Sequence, residues 1–174
     1  YRALRDAARD DVRIAAIIEI LLQTGVRIGE LANLRIDDVF FGEENKEGHL
    51  FVRPQENRGE RTVPLNKAAE NALKKYLEIR PKTTNRALFV TKTGKPLLVR
   101  NIRTAIDRYY RKAGITGAKV NDLRHTWVAH HLSSGASLVL ISKIAGHKRL
   151  STTERYLSLI QLPKGEEKLK LEQL

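Results

Sequence analysis

The sequence predicts a mainly α-helical chain with one small antiparallel β-sheet, a fold of the α+β class. Apolar residues recur at helical spacing through most of the chain, and two short strand-like segments flank a single polar turn. The length of 174 residues, with 41% hydrophobic and 30% charged residues, is ordinary for a soluble domain with a substantial core. No apolar run reaches the roughly 18 residues of a transmembrane helix. The absence of cysteine excludes disulfides and thiolate metal sites, and it favours a reducing, cytoplasmic compartment.

The N-terminal half is predicted to place helices beside the sheet. Residues from Val12 to Leu22 carry apolar side chains at helical spacing, and Gly25 is typical of a helix C-cap. Arg27 then lies in the turn before a second short helix, where a long side chain can point outward from a rigid base. The remaining predicted elements are that second helix at Ile28–Asn33, strands at His49–Arg53 and Arg61–Leu65 joined by the turn PQENRGE, and an amphipathic helix at Lys67–Ile79.

The C-terminal half is predicted to be almost entirely helical, with glycines that end its helices. Ser151, followed three residues later by Glu154, forms a capping-box pattern that predicts the start of a helix carrying Tyr156. The other predicted elements are a strand at Leu88–Thr91, the basic turn TKTGK, and helices at Val99–Lys112, about Asp122–Ser133 and Leu138–Ala145, closed by Gly114, Gly135 and Gly146.

The domain organisation is expected to be simple. Residues 1–162 are predicted to form one domain, and residues 163–174 a charged C-terminal tail helix that docks on a neighbouring subunit. Because the chain begins with Tyr1 and contains no methionine, we expect it to be a fragment of a longer protein.

The positive charge is concentrated in one segment. The net charge is +12, and residues 91–155 carry 13 Lys and Arg against three Asp and Glu, whereas residues 1–90 carry 16 against 14. A solubilising surface rarely segregates charge in this way, so the pattern favours a polyanionic partner such as nucleic acid.

The segment from Asp122 to Tyr156 contains the residue types that phosphodiester chemistry needs. It holds four of the five histidines, the motif DLRHT with Arg124, and the motif AGHKRLSTTERY, in which His147 stands nine residues before Tyr156. Arginine donates two hydrogen bonds to phosphate oxygens from a planar fork. Tyrosine can act as a nucleophile and form a covalent intermediate.

These motifs resemble those of the tyrosine recombinases, the family of phage-type integrases and Xer-type resolvases. The motif TGVRIGELANLRIDD is similar to the family's first arginine box, with Arg27 as its arginine, and ERTVPL is similar to the strand after the sheet hairpin. DLRHT is similar to the second arginine box with Arg124, and AGHKRLSTTERY to the final box with His147 and Tyr156. The four boxes occur in the family's order and cover most of the chain.

The resemblance implies a site-specific DNA recombinase that works without a metal or nucleotide cofactor. Tyr156 would attack DNA to leave a 3′-phosphotyrosine and a free 5′-hydroxyl. Arg27 and Arg124 would hold the non-bridging oxygens, and His147 would donate to the same phosphate. The resemblance further implies a tetramer on two double-stranded DNA sites, association with the nucleoid, and an N-terminal DNA-clamping domain outside these 174 residues.

Two positions depart from the family's motifs. Asn121 stands where the second box usually opens with histidine, and an amide donates a hydrogen bond but does not titrate near neutral pH. Glu56 falls where the family has the hairpin lysine that acts as general acid. Arg58 and Lys46 are the nearby cations that could contact the phosphate or replace this acid, although the pKa of arginine is high for a proton donor near pH 7.

Further basic side chains are expected to bind backbone phosphates without reading base sequence. The predicted phosphate-binding residues are Lys92, Lys95, Arg100, Arg103, Lys148 and Arg149.

Two alternatives for the function remain open: a strand transferase resembling a type IB topoisomerase or telomere resolvase, and a DNA-binding module with weak catalysis.

Overall fold

The computed structural model describes residues 1–55 and 58–159, so the predicted tail at 163–174 lies outside the described residues. The chain divides into two compact units, Tyr1–Trp127 and Val128–Leu174. The α-helices of the described residues are α1 (Arg2–Ala7), α2 (Val12–Thr24), α3 (Ile28–Ala32), α4 (Lys67–Ile79), α5 (Val99–Lys112), α6 (Asn121–Ser133), α7 (Leu138–Ala145) and α8 (Leu150–Glu154). The strands are β1 (Val39–Phe40), β2 (Gly48–Val52) and β3 (Arg61–Leu65), and two 3₁₀ helices span Ile36–Asp38 and Arg155–Leu159.

The first unit is built around α2, which is buried along most of its length and contacts α4 and β3. The Asp11 side chain accepts the N–H of Ile14 at 3.2 Å and so caps the start of α2. Asn66 does the same for α4, accepting the N–H of Ala69 at 3.0 Å. These caps fix where both helices begin, and the apolar faces decide how they pack.

The sheet has three antiparallel strands in the order β1-β2-β3. Leu50 of β2 faces Val63 of β3 in the register, and both side chains are fully buried. Burial alternates along β2, as expected for a strand with one face on the core. The mainly helical fold with a small antiparallel sheet is therefore confirmed, although the short elements α1 and β1 were not predicted.

The predicted strand at Leu88–Thr91 is wrong. The Leu88 N–H donates to the Leu34 carbonyl at 2.9 Å, and the Tyr76 hydroxyl donates to the Leu88 carbonyl at 2.9 Å and accepts from the Val90 N–H at 3.1 Å. This segment is buried, so its apolar run does indicate core. The Tyr76 hydroxyl and isolated backbone contacts, rather than a continuous neighbouring strand, satisfy its backbone, and so short a run cannot distinguish the two cases.

Gly25 ends α2 in the left-handed conformation, with φ of 70°, as its C-cap position predicted. A Cβ atom at this position would lie 2.3 Å from Cε3 of Trp127. Position 25 therefore favours glycine for two reasons: its backbone is left-handed, and the indole ring of Trp127 leaves no space for a Cβ atom.

We expect Gly25→Ala to lower the free energy of unfolding by at least about 2 kcal/mol, because left-handed strain and overpacking add. Two matched variants separate these causes. Gly114 has φ of 74° with open space around it, so Gly114→Ala should cost only the strain, about 1–2 kcal/mol. Gly59 has neither constraint, so Gly59→Ala should change stability by less than about 0.5 kcal/mol. Urea unfolding of the three variants measures these values, and equal losses at Gly25 and Gly114 would show that the indole yields.

The second unit contains α7, α8 and the 3₁₀ helix that follows. Gly146 closes α7 with φ of 70°, as predicted. The predicted capping box at Ser151 is wrong: α8 begins at Leu150, and its N-cap is Arg149, whose side chain makes no capping hydrogen bond. An S-x-x-E pattern also fits inside a helix, and here Ser151 is already helical. Tyr156 lies in the 3₁₀ helix Arg155–Leu159 and not in a longer α-helix.

None of the helices among residues 1–55 and 58–159 combines the length and apolar character needed to cross a membrane.

Candidate active site

Arg27 occupies the N-cap position of α3. Its backbone N–H donates to Oε1 of Glu30 at 2.9 Å, and its Nη1 lies 3.6 Å from the same oxygen. Burial lowers the pKa of Arg27; the Glu30 charge opposes this effect, whereas the charges of Arg58 and Arg61 add to it. Arginine remains protonated at neutral pH even so, because its ordinary pKa lies far above neutrality. The structure thus holds a partly buried cation at a fixed backbone position.

Glu30 connects this cation to the sheet. Its side chain is only 3% exposed, and Arg61 of β3 donates to both carboxylate oxygens, with Nη2 at 2.8 Å from Oε1 and Nη1 on Oε2. Burial by itself would raise the pKa of Glu30, but the hydrogen bonds from Arg61 and from the Arg27 N–H hold it below its ordinary value. A two-pronged arginine–carboxylate pair of this kind fixes orientation as well as charge.

Arg124 is held in the same unit by the backbone that precedes Arg27. It lies on α6, is 7% exposed, and donates from Nη1 to the carbonyl of Gly25. This hydrogen bond joins the turn that carries Arg27 to the helix that carries Arg124. The two arginines taken from the first and second boxes are therefore anchored to one turn, between residues 25 and 27.

The turn between β2 and β3 carries Arg58 toward α3. Backbone hydrogen bonds of 2.7 and 3.0 Å join Gln55 and Arg58, and the Gln55 side chain donates to the Gly29 carbonyl at 3.2 Å. Arg58 is exposed, and its positive charge contributes to lowering the pKa of Arg27. Glu56, where the family has its lysine, lies outside the described residues.

Lys46 lies away from the turn that carries Arg58. It lies in the turn between β1 and β2, where its N–H donates to the Glu43 carbonyl at 2.9 Å. The other end of β2, where Val52 faces Arg61, carries the Arg58 turn. A five-residue strand separates the two turns by roughly 13 Å or more, so Lys46 and Arg58 are not interchangeable substitutes.

Asn121 is the first residue of α6 and is exposed. It precedes Arg124 by three positions, so both residues project from one side of the helix. Asn121 also borders a cleft of about 340 Å³ that is lined by Arg103, Asp107 and Lys119. An amide in this position can donate to a phosphate oxygen next to the cations of the cleft.

His147 and Tyr156 meet within the second unit. Their rings are nearly parallel, with an angle of 14° and 6.1 Å between centroids. The Nδ1 atom of His147 lies 2.6 Å from Oγ1 of Thr153, which is fully buried. Tyr156 is 8% exposed. The nine-residue spacing seen in the sequence therefore brings the tyrosine and histidine rings together through one short helix.

The predicted phosphate-binding side chains are all exposed. Lys92 and Lys95 flank Gly94 in the basic turn, and the Thr91 N–H donates to the Lys95 carbonyl at 2.7 Å to close that turn. The others lie on or before helices, with Arg100 and Arg103 on α5, and Lys148 and Arg149 before α8. Among residues 1–55 and 58–159, no group of three or more His, Cys, Asp or Glu could hold a metal ion.

Residues 1–161 match the sequence profile of the phage integrase family. The chain belongs to the phage integrase family. Tyrosine recombinase XerC of Thermodesulfovibrio yellowstonii is 34% identical over 154 residues, which cover 83% of this chain and 49% of that protein. The crystal structure of XerA recombinase superposes with a TM-score of 0.81 and 32% identity, covering 99% of this chain and 61% of that one.

A lambda integrase dimer bound to a COC' core site shares the fold of this family member at 18% identity, with a TM-score of 0.72 over 90% of this chain and 45% of that one. The chain spans about half the length of the curated relatives that it matches. Membership of the phage integrase family confirms the resemblance that the four boxes predicted.

Three residues that shape this site were not singled out from the sequence. Glu30 and Arg61 stand inside quoted boxes, and the signal for Glu30 was its spacing of three residues from Arg27 on a short helix. Arg61 is the first residue of β3. Its contact with Glu30 on α3 depends on how the sheet packs, which the sequence does not show. Thr153 stands three residues before Tyr156, a spacing that puts both on one side of a helical turn.

Proposed function

We propose that this chain is the catalytic part of a site-specific DNA recombinase that cuts and rejoins strands through a 3′-phosphotyrosine intermediate. The observation that carries the proposal is the pairing of His147 with Tyr156 in a member of the phage integrase family. Arg27 and Arg124, anchored to one turn, support it. The same protein would integrate, excise or resolve DNA according to where its target sites lie.

In this mechanism the phenol oxygen of Tyr156 attacks phosphorus and loses its proton. The bond from phosphorus to the 5′ oxygen breaks, and that oxygen takes up a proton to leave as a hydroxyl. Arg27 and Arg124 donate to the non-bridging oxygens, where charge builds up in the pentacoordinate transition state, and His147 donates to the same phosphate. Rejoining reverses these steps, because the phosphotyrosine bond conserves the energy of the broken one.

Arg58 and Asn121 take supporting roles. Arg58 contacts the phosphate from the hairpin turn, since its charge reaches Arg27. Asn121 donates its amide on the side of α6 that carries Arg124. Both act as hydrogen-bond donors here, Arg58 through its guanidinium and Asn121 through its amide.

The partner is double-stranded DNA, and the working assembly is a tetramer on two sites in the cytoplasm, at the nucleoid. The basic segment 91–155 supports DNA binding because its charge exceeds that of the remaining chain. Residues 163–174 dock on a neighbouring subunit, so deleting 164–174 uncouples cleavage from assembly.

A nicked suicide substrate tests the proposal. The parent chain should form a covalent protein–DNA adduct that Tyr156→Phe does not form, while both bind the DNA equally in fluorescence anisotropy. Binding without any adduct from the parent would leave a DNA-binding module and overturn the proposal. Exchange between two marked sites supports recombination, whereas relaxation of supercoils without exchange indicates topoisomerase activity.

A further inference from the structure

Thr153 makes an unusual hydrogen bond for a helical threonine. Elsewhere in the chain the hydroxyls of Thr24, Thr104 and Thr126 donate to the carbonyl four residues earlier. Thr153 instead places Oγ1 2.6 Å from Nδ1 of His147, and this is its one side-chain hydrogen bond within the described residues. The residue is fully buried on α8, so bulk water does not reach it.

Because the Thr153 hydroxyl is buried, it is expected to be the donor of this hydrogen bond and His147 the acceptor. A buried donor left without an acceptor costs about 1–3 kcal/mol, so the Thr153 proton is expected to point to a partner. The partner that the structure offers is Nδ1, which accepts a proton only when it carries none of its own. The other ring nitrogen, Nε2, then bears the hydrogen in the neutral imidazole.

We propose that Thr153 is a positioning residue that holds His147 as the Nε2–H tautomer, so that the neutral histidine remains a hydrogen-bond donor to the scissile phosphate. This inference rests on the proposed function, because it names how the histidine of that site is prepared. The contact also fixes the plane of the imidazole, which lies nearly parallel to the Tyr156 ring. One hydroxyl would thereby set both the tautomer and the orientation of the donor.

Other groups also lie near His147 in its own unit. Tyr156 packs against its ring from the 3₁₀ helix, and α7 contributes the Ser142 carbonyl, which accepts the His147 backbone N–H at 2.9 Å. Lys143 on α7 and the two cations that follow His147, Lys148 and Arg149, are exposed. These neighbours are unchanged in a Thr153 variant, so a change in its pH dependence reports on the hydroxyl.

The test compares Thr153→Val with Thr153→Ser. Valine keeps the shape and removes the hydroxyl, whereas serine keeps the hydroxyl. Thr152→Val is the matched control, because Thr152 is the adjacent residue of α8 and its hydroxyl makes no hydrogen bond among the described residues. Thermal unfolding of all three variants checks that they fold.

Single-turnover cleavage of the suicide substrate gives the first readout. Thr153→Val should be slowed about 10-fold or more at pH 8, as for other residues that orient a functional histidine, and Thr153→Ser should stay within about threefold of the parent. The difference in cleavage rate between Thr153→Val and the parent should shrink at pH 5.5, because a charged imidazolium carries hydrogen on both nitrogens. A deficit that is equal at both pH values, or equal in Thr152→Val, would overturn the inference.

The tautomer itself gives a second readout that needs no DNA. In ¹⁵N-labelled parent chain at pH 8, the His147 nitrogens, assigned by comparison with His147→Gln, should show a protonated Nε2 and an unprotonated Nδ1. Thr153→Val should show a mixture. A protonated Nδ1 in the parent would overturn the role of Thr153, whereas the expected tautomer without adduct formation would overturn the proposed function alone.

Discussion

Arg27→Lys is expected to slow single-turnover cleavage of the suicide substrate about 100-fold or more while leaving the chain folded. Lysine keeps a positive charge beside Glu30 but loses the planar fork that donates two hydrogen bonds to phosphate oxygens. The N-cap of α3 survives the change, since the hydrogen bond to Glu30 comes from the backbone N–H of residue 27. The side chain is only 21% exposed, and lysine keeps an aliphatic stem that can retain much of its packing.

Arg9→Lys is the matched control for this variant. Arg9 is 74% exposed and pairs with Asp6 on the surface, so its replacement should leave the cleavage rate within about twofold. DNA affinity, measured separately by fluorescence anisotropy at fixed salt, should change little for either variant. The hydrogen bonds lost in Arg27→Lys are expected to stabilise the transition state of cleavage more than the bound DNA. A cleavage rate for Arg27→Lys close to that of Arg9→Lys would show that Arg27 does not stabilise the phosphate in the transition state.

The fold was largely predictable because its signals are local. Helices α4, α5 and α7 have the predicted bounds, since each combines an apolar stripe with a cap or a closing glycine that acts within a few residues. The failures involve tertiary partners. The backbone of Leu88–Thr91 is satisfied by Tyr76 and by the segment at Leu34, which no window of four residues can reveal.

The candidate site divides in the same way. The residues that we propose to react were found in the sequence because a phosphodiester needs arginine, histidine and tyrosine, and their motifs stand in the family's order. The residues that hold them could not be found in this way, because Arg61 reaches Glu30 across 31 positions of sequence and Thr153 turns its hydroxyl away from the usual backbone acceptor. Lys46 was grouped with Arg58 by closeness along the chain, whereas an antiparallel strand puts them at opposite ends.

Arg61→Met is expected to lower the free energy of unfolding by about 3–5 kcal/mol at pH 7, the usual cost of removing one partner of a buried ion pair. Arg61 is 11% exposed and Glu30 3%, so water cannot replace the lost hydrogen bonds at low cost. Arg27 remains beside the carboxylate, with Nη1 3.6 Å from Oε1 and its backbone N–H donating to the same oxygen, but it does not replace the two hydrogen bonds that Arg61 donates. The cost therefore comes mainly from a buried Glu30 carboxylate that has lost both hydrogen bonds from Arg61.

The pH dependence identifies that carboxylate as the cause. In the parent, the pKa of Glu30 lies below its ordinary value of 4.5, so its charge stabilises the fold above that value, and this contribution is lost as the pH falls through the lowered pKa. Without Arg61, less opposes the effect of burial, so the pKa of Glu30 rises relative to the parent and its charge stabilises the variant less as the pH rises. The loss caused by Arg61→Met should accordingly be largest near pH 7 and shrink toward pH 4.

The double variant Glu30→Gln/Arg61→Met completes the test, with stability measured by urea unfolding at both pH values. Glutamine keeps an oxygen that can accept the Arg27 N–H but carries no charge, so the double variant should be more stable at pH 7 than Arg61→Met alone. It should nevertheless cleave the suicide substrate more slowly than the parent, because the carboxylate that Arg61 holds beside the Arg27 guanidinium is then missing. If the double variant were no more stable than Arg61→Met, lost packing of the arginine stem, and not the buried charge, would account for the effect.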